Sequence, residues 1–571
     1  MKIKRWLAAL LAAALLPVSA FAAGGTEADK RQEDLDFLVQ TLTEKHPDFY
    51  RNTTKQAVAD KKAAIESTIA TASDIDFAIS LQELAALAGD AHTMLAIGSA
   101  GAQVHMLPFA PEWFDGRWTM TGGLREYKQY VGSEITAIGG VSMDELLERL
   151  KPMLSYDNDT RLRVQLGGNM YVFEVLAHYG VVKGDEKTVP VTLRGTDGKE
   201  TVLDMPILTA EEETALGDDG FINKKLLRSA VPATEPDSAV IYKLLDLGDG
   251  TLYMQYNKCR EDENLPMAAF AAEIKEKLDS GAYSKFIIDL RNNGGGSDGV
   301  LYPVVYQAQQ FLAKGGAVYA LAGDRTFSSA LINTVQLKDV DAAVVGTPTG
   351  GSVDHFGSIS TFELPNSKMR GQYSNKFIDM ADYLDAAKPY DVESFPPDIT
   401  VQPSFADYLK GVDTAVQYIL DHAPVTPVLT ETAKVSSARV TVNGKPVAAA
   451  AYEIADSNYF KLRDLAMAFA GTKSAFNVTW DGAAKHIQLT EGTYTPVGGE
   501  LQPLTGGDQT AVRATSDVAI GDMPLVGKAY EIAGNHYFKL RDLCRMAGVS
   551  VAWDGKTQTI ALTTEDASAA A

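Results

Sequence analysis

A chain of 571 residues is too long for one hydrophobic core, and at about 150 residues per domain it should hold three or four units. Hydrophobic residues at 46% and charged residues at 22% are the balance of a packed protein, which excludes wholesale disorder. The net charge of -22 repels phosphate backbones and argues against nucleic acid as a partner, and the two cysteines, Cys259 and Cys544, make neither a disulfide framework nor a metal cluster.

Lys2, Lys4 and Arg5 precede an apolar run from Trp6 to Leu16, followed by Ala20-Phe21-Ala22. This is the pattern of a secretory signal peptide cleaved after Ala22. The run falls short of the ~20 residues needed to span a bilayer. Cleavage leaves a remainder three units more negative, because it removes those three bases and no acid. The expected location is secreted or envelope-associated in a bacterium, with no membrane span after cleavage. So few cysteines in an exported chain point to a cell that does not rely on disulfides.

Residues 23–100 alternate helical patterns with polar breaks. Leu35, Leu38, Val39, Leu42 and His46 share a helical face, and further helices are expected near 57–70 and 75–88. The last ends in Gly89-Asp90-Ala91-His92-Thr93, so His92 falls just past a helix terminus. By position alone such a histidine is usually structural. Residues 101–215 read as β-rich. Within them, Gly132 to Ser142 leading into an amphipathic helix, Met143–Leu150, resembles part of a PDZ-type peptide-binding module.

A further α/β core is expected over 216–425. Phe286-Ile287-Ile288-Asp289-Leu290 reads as a buried strand, followed by Arg291-Asn292-Asn293-Gly294-Gly295-Gly296. Glycines between a strand and a helix let backbone N–H groups approach a ligand, either a phosphate or an oxyanion. No Gly-Lys-Ser/Thr follows, so the phosphate reading is weak. A second strand, 317–321, leads to Thr326-Phe327-Ser328-Ser329-Ala330 at the start of a helix. There Ser328 is either a helix cap or a nucleophile at a positive dipole end. A third strand, 342–345, ends at Gly346-Thr347-Pro348-Thr349-Gly350-Gly351, and Glu393-Ser394-Phe395-Pro396-Pro397-Asp398-Ile399 comes later.

In this order the segments resemble the carboxy-terminal processing (tail-specific) protease family over about residues 30–420. The resemblance implies a multidomain α/β chain with a ClpP/crotonase-like catalytic domain, and serine-type endopeptidase activity through an acyl-enzyme on peptide or protein substrates. It implies Ser328 as nucleophile, with Gly295 and the N–H of Ser329 as oxyanion hole; which of the three glycines donates stays open. The family's usual lysine base has no counterpart in Gly350-Gly351-Ser352-Val353. The chain instead is similar to the tricorn-core branch, which implies His92 as base and Glu393 as its late glutamate. That branch has a serine before the histidine, where this chain has Ala91. His355, near the place of the missing lysine, is a rival base. No metal or cofactor is required. The missing lysine and Ala91 also leave room for a peptide-binding envelope protein that keeps the fold without efficient catalysis.

Residues 426–571 contain a repeat. Tyr452-Glu453-Ile454-Ala455 and Tyr459-Phe460-Lys461-Leu462-Arg463-Asp464-Leu465 recur as Tyr530-Glu531-Ile532-Ala533 and Tyr537-Phe538-Lys539-Leu540-Arg541-Asp542-Leu543, and Trp480-Asp481-Gly482 recurs as Trp553-Asp554-Gly555. Each copy reads as strand, short helix and hairpin, with 440–445 as an opening hairpin for the first. The pattern resembles the stalk-type repeat related to the N-terminal domain of copper amine oxidases, here without a copper site. It implies a spacer or a module that meets a cell-envelope component.

Overall fold

The computed structural model describes residues 26–99, 101, 104–504, 506–521 and 523–564; the expected signal peptide lies outside these. The chain is a multidomain α/β protein. Three helices open it, Glu27–Lys45, Lys55–Thr68 and Asp74–Ala86, each started by a Thr or Ser whose side chain accepts a helix N–H. Leu35, Leu38 and Leu42 are fully buried, as the helical spacing requires. They share a core with Leu364 and Met369 from a distant hairpin, His355–Glu363 and Arg370–Ile378. Strand Met94–Leu95 joins that hairpin at Gln372 and Gly371. The N-terminal helices are thus tied to the core sequence by a β-clasp that local pattern does not announce.

The next unit is an antiparallel sheet of strands Phe109–Phe114, Arg117–Leu124, Glu134–Ile138, Thr188–Arg194 and Glu200–Pro206. It is less purely β than expected, because helices Met143–Leu150, Asp159–Asn169 and Phe173–His178 cover it. Leu146, Leu150, Leu162, Leu166 and Leu176 pack with sheet residues in one core.

The core sheet has six strands in the order Ile399–Thr400, Ala343–Gly346, Ala317–Ala322, Lys285–Asp289, Thr251–Tyr256 and Tyr242–Asp246. All neighbours are parallel except the last pair. Helices Met267–Asp279, Tyr302–Ala313 and Ser329–Asp339 cover one face and Thr414–Asp421 the other, so the central strands are buried on both sides and read as continuous apolar runs. The carboxyl ends of these strands, at Asp289, Ala322 and Gly346, carry the loops singled out above. In an open α/β sheet that is where ligands bind.

The C-terminal repeats share a closed six-stranded barrel flanked by two four-stranded sheets. The opening hairpin does not serve the first copy. Strand Arg439–Val442 pairs in parallel with Thr559–Thr563 of the second, while Asp517–Ile520 pairs with His486–Glu491 of the first. Each copy completes its sheet with a strand adjoining the other. Sequence order alone assigns such a strand to its nearest neighbour.

Candidate active site

Ser328 sits at φ 52° and ψ −128°, immediately before helix Ser329–Asp339, and its side chain does not cap that helix. A non-glycine residue held there stores backbone strain of about 1–3 kcal/mol and is a genuine outlier. The cap reading of the sequence is therefore set aside. The Ser328 hydroxyl makes no hydrogen bond to the helix start it precedes.

Two features brace the turn. Thr326 Oγ1 donates to Leu290 O at 3.0 Å and accepts from Gly323 N at 3.0 Å. Phe327 N donates to Asn293 O at 3.1 Å. The serine loop and the glycine loop are thereby fastened together. Gly295, at φ +105°, is pressed against the serine: a Cβ there would lie 2.8 Å from Ser328 Cβ and 3.1 Å from Ser329 N. Gly296, at φ +138°, has no room beside the Cys259 carbonyl.

The Gly295 N–H is already engaged, donating to Asn293 Oδ1 at 2.9 Å. It is not free to meet an oxyanion in this conformation, which corrects the glycine named from the sequence. Among the described residues the N–H groups of Gly294, Gly296 and Ser329 have no acceptor. Ser329 Oγ donates to Gly296 O at 2.7 Å and so brings Gly296 and Ser329 together.

Both candidate histidines are buried in one place. The His92 ring stacks on Phe327, 4.4 Å between centroids at 25°, and on His355, 5.6 Å at 16°. Neither ring nitrogen of His92 has a hydrogen-bond partner, nor does His355 Nε2, so no bond joins either imidazole to Ser328. His355 Nδ1 lies 3.3 Å from Val353 O, which places its proton on Nδ1 and leaves Nε2 as acceptor. Burial, with the charge of His355 behind it, pushes His92 down to about 3, opposed by the Asp90 carboxylate. Burial lowers His355 too. Both rings are neutral at neutral pH, as a general base must be.

Glu393 stands apart. Its side chain is exposed and makes no hydrogen bond or ion pair among the described residues. Its main chain does the holding: Glu393 O accepts from Val353 N at 2.8 Å, and Ser352 bridges Ser394. The segment fixes the strand that carries His355 rather than offering a carboxylate to a base.

Several site residues had no signal in the sequence. Asp90 is buried at 1% exposure and accepts from His92 N at 2.6 Å, Thr93 N at 2.9 Å and Ser374 Oγ at 3.1 Å, while its other oxygen meets His46 Nε2 at 2.9 Å. Asn158 caps helix Asp159–Asn169 and also donates to Gly350 O at 3.2 Å and Ser352 Oγ at 2.8 Å, docking the middle unit onto the loop beside Ser328. One helical turn on, the Arg161 guanidinium lies 4.3 Å from the Phe327 ring centroid, its Nε buried and unpartnered. Asp157 lines a small pocket with His355, Asp90 and Arg51.

Burial pushes the Asp157 carboxyl up to about 7, and its Oδ2 has no partner. Against an unfolded value of ~3.9, the folded chain therefore holds an extra proton between about pH 4 and 7. The stability linked to that proton is full below that window and lost as pH rises through about 7. Asp157→Asn should remove the loss. Relative to the parent, the variant should gain about 2 kcal/mol between about pH 5 and pH 8 in thermal unfolding. An equal offset at both pH values would show that Asp157 is ionised throughout.

No family model matches the chain, and no curated protein matches it. Among solved structures, mature CPAF complexed with lactacystin overlaps 69% of this chain and 97% of its own at 14% identity and a TM-score of 0.46. The photosystem II D1 C-terminal processing protease overlaps 65% and 93% at 13% identity and 0.31. The tricorn protease overlaps 69% and 36% at 13% identity and 0.30. Overlaps this loose say nothing about chemistry, which rests on the residues around Ser328.

Proposed function

We propose that the chain is a serine endopeptidase in which Ser328 attacks a peptide carbonyl. The observation that carries this reading is the strained, uncapping conformation of Ser328 at a helix start, with unsatisfied N–H groups of Gly296 and Ser329 beside it. In the proposed reaction, neutral His92 takes the Ser328 proton as the hydroxyl adds to the carbonyl. The N–H of Ser329 and of Gly296 then receive the oxyanion, at about 2.7–4 kcal/mol per donor. Collapse expels the amine with the proton from His92, and water activated by the same ring releases the acyl group. His92 is preferred to His355 because its ring lies on Phe327, the residue next to the nucleophile. The core is read as ClpP/crotonase-like, the middle unit as PDZ-like, and the repeats as a stalk that meets the cell envelope outside the cytoplasm. No helix among the described residues is long and apolar enough to cross a membrane.

A second reading has one observation in its favour: both His92 nitrogens lack partners, so no third group orients the base. On that reading the chain binds peptides without turning them over. Fluorophosphonate labelling separates the two. The peptidase reading expects one label on the intact protein, absent from Ser328→Ala. Labelling that survives this substitution, or none from mildly acidic to mildly basic pH, would sink it.

A further inference from the structure

The repeat barrel has a local two-fold axis. Strands Ser457–Lys461 and Asn535–Lys539 pair antiparallel through Phe460 and Phe538, so Lys461 faces Tyr537 as Lys539 faces Tyr459. The two basic edges of the barrel are equivalent in sequence and place but differ in what they meet. In the second copy Lys539 makes an ion pair with Asp385, on a turn of the peptidase-like core, and Ser457 Oγ donates to the same carboxylate at 3.4 Å. Lys388 closes the other side at 2.5 Å. A carboxylate carried by a polypeptide turn is therefore seated on this edge.

In the first copy the counterparts of Lys539 and Ser457 are Lys461 and Asn535, and among the described residues neither makes an ion pair or hydrogen bond with a carboxylate. Both line a groove of about 410 Å³, together with Arg463, Lys485, Ser516 and an exposed Trp480. Trp480 is 45% exposed, and its ring lies 5.7 Å from that of His536, which is held by Ser516 Oγ at 2.9 Å. Lys461, Arg463 and Lys485 make no ion pair among the described residues, whereas Lys539, the counterpart of Lys461, pairs with Asp385. Glu531 is the one acid on the wall, and it leaves the groove net positive.

We propose that this groove is a binding site for an acidic polypeptide segment, which seats an Asp or Glu carboxylate between Lys461 and Asn535 as Asp385 is seated on the twin edge. Arg463 and Lys485 hold a neighbouring acid, and the indole face of Trp480 covers the aliphatic stem. The site lies on the repeats and needs no chemistry at Ser328. A peptide source is favoured over an acidic glycan because the carboxylate seated on the equivalent edge is itself presented by a protein turn.

The test uses the full chain carrying Ser328→Ala, so that the probe stays intact, and fluorescence polarisation of a labelled Asp/Glu-rich peptide. Saturable binding is expected, weakened as salt rises from about 0.05 to about 0.5 M. At least a tenfold loss is expected in Lys461→Ala/Arg463→Ala, with a smaller loss in Lys485→Gln, an exposed position that keeps the fold intact. A lysine-rich peptide of equal length should not bind. Absence of saturable binding overturns the proposal, as does binding unchanged in both variants. Displacement of the peptide by polygalacturonate at lower concentration than by unlabelled peptide overturns it in favour of a glycan.

Discussion

Ser328→Ala should lower the turnover of a peptide substrate by about a millionfold, the loss seen when the nucleophile of a serine hydrolase is removed. His92→Ala should lose nearly as much, and the double variant no more than either single one, because the two groups act in one proton transfer. His355→Ala separates the rival bases through its pH profile. The His355 charge is the second cause, after burial, that keeps His92 down at about 3. The parent should hold its rate from about pH 8 to pH 5, with His92 neutral throughout, where an unperturbed imidazole would lose activity below ~6.5. Without His355, His92 should accept a proton at higher pH, and the acid limb should move up while the plateau stays. A plateau that collapses with His355→Ala but survives His92→Ala would make His355 the base.

The pieces of this site were legible in the sequence where backbone chemistry dictates residue type. A glycine run after an apolar strand and a serine at a strand-to-helix junction both point to loops at the sheet's carboxyl edge. They fall there, after Asp289 and Ala322. The roles within the glycine run were not legible, because Asn293 takes up the Gly295 N–H through a side-chain bond that no spacing encodes. Neither was the loss of Glu393 from the site, since its main chain rather than its carboxylate makes the contact with Val353. Asn158 and Arg161 lie more than 160 residues before the loops they touch, on a helix whose own pattern gives only a cap and a polar face. The exchange of strands between the repeats escaped for the same reason: pairing partners are chosen by the tertiary fold, while periodicity reports only that a strand exists.

Asp90→Ala should cost at least about 3 kcal/mol, since each buried group left without its acceptor is worth about 1–3 kcal/mol, and should take the activity with it. Asp90 gathers four donors from three segments: His46 at the end of the first helix, the backbone of His92 and Thr93, and Ser374 in the core hairpin. With the carboxylate gone, two buried backbone N–H groups and the His46 ring lose their acceptor together. The turn that points His92 at Phe327 then has nothing to fix it. Asp90→Asn isolates the charge. Its carbonyl oxygen can still receive the N–H groups of His92 and Thr93, but its amide would face His46 Nε2, whose proton is placed there by the bond from Asp48 N to Nδ1 at 3.2 Å. Donor then meets donor, and His46 cannot change tautomer without losing Asp48. The Asn variant should therefore lose less stability than Ala and recover its rate in part when His46 is also replaced by Gln, whose carbonyl can accept from the new amide. Thermal unfolding and kcat for the two single variants and the pair measure this coupling. Additive losses would mean that His46 and Asp90 stabilise the bundle separately, and that the clasp at His92 does not depend on their bond.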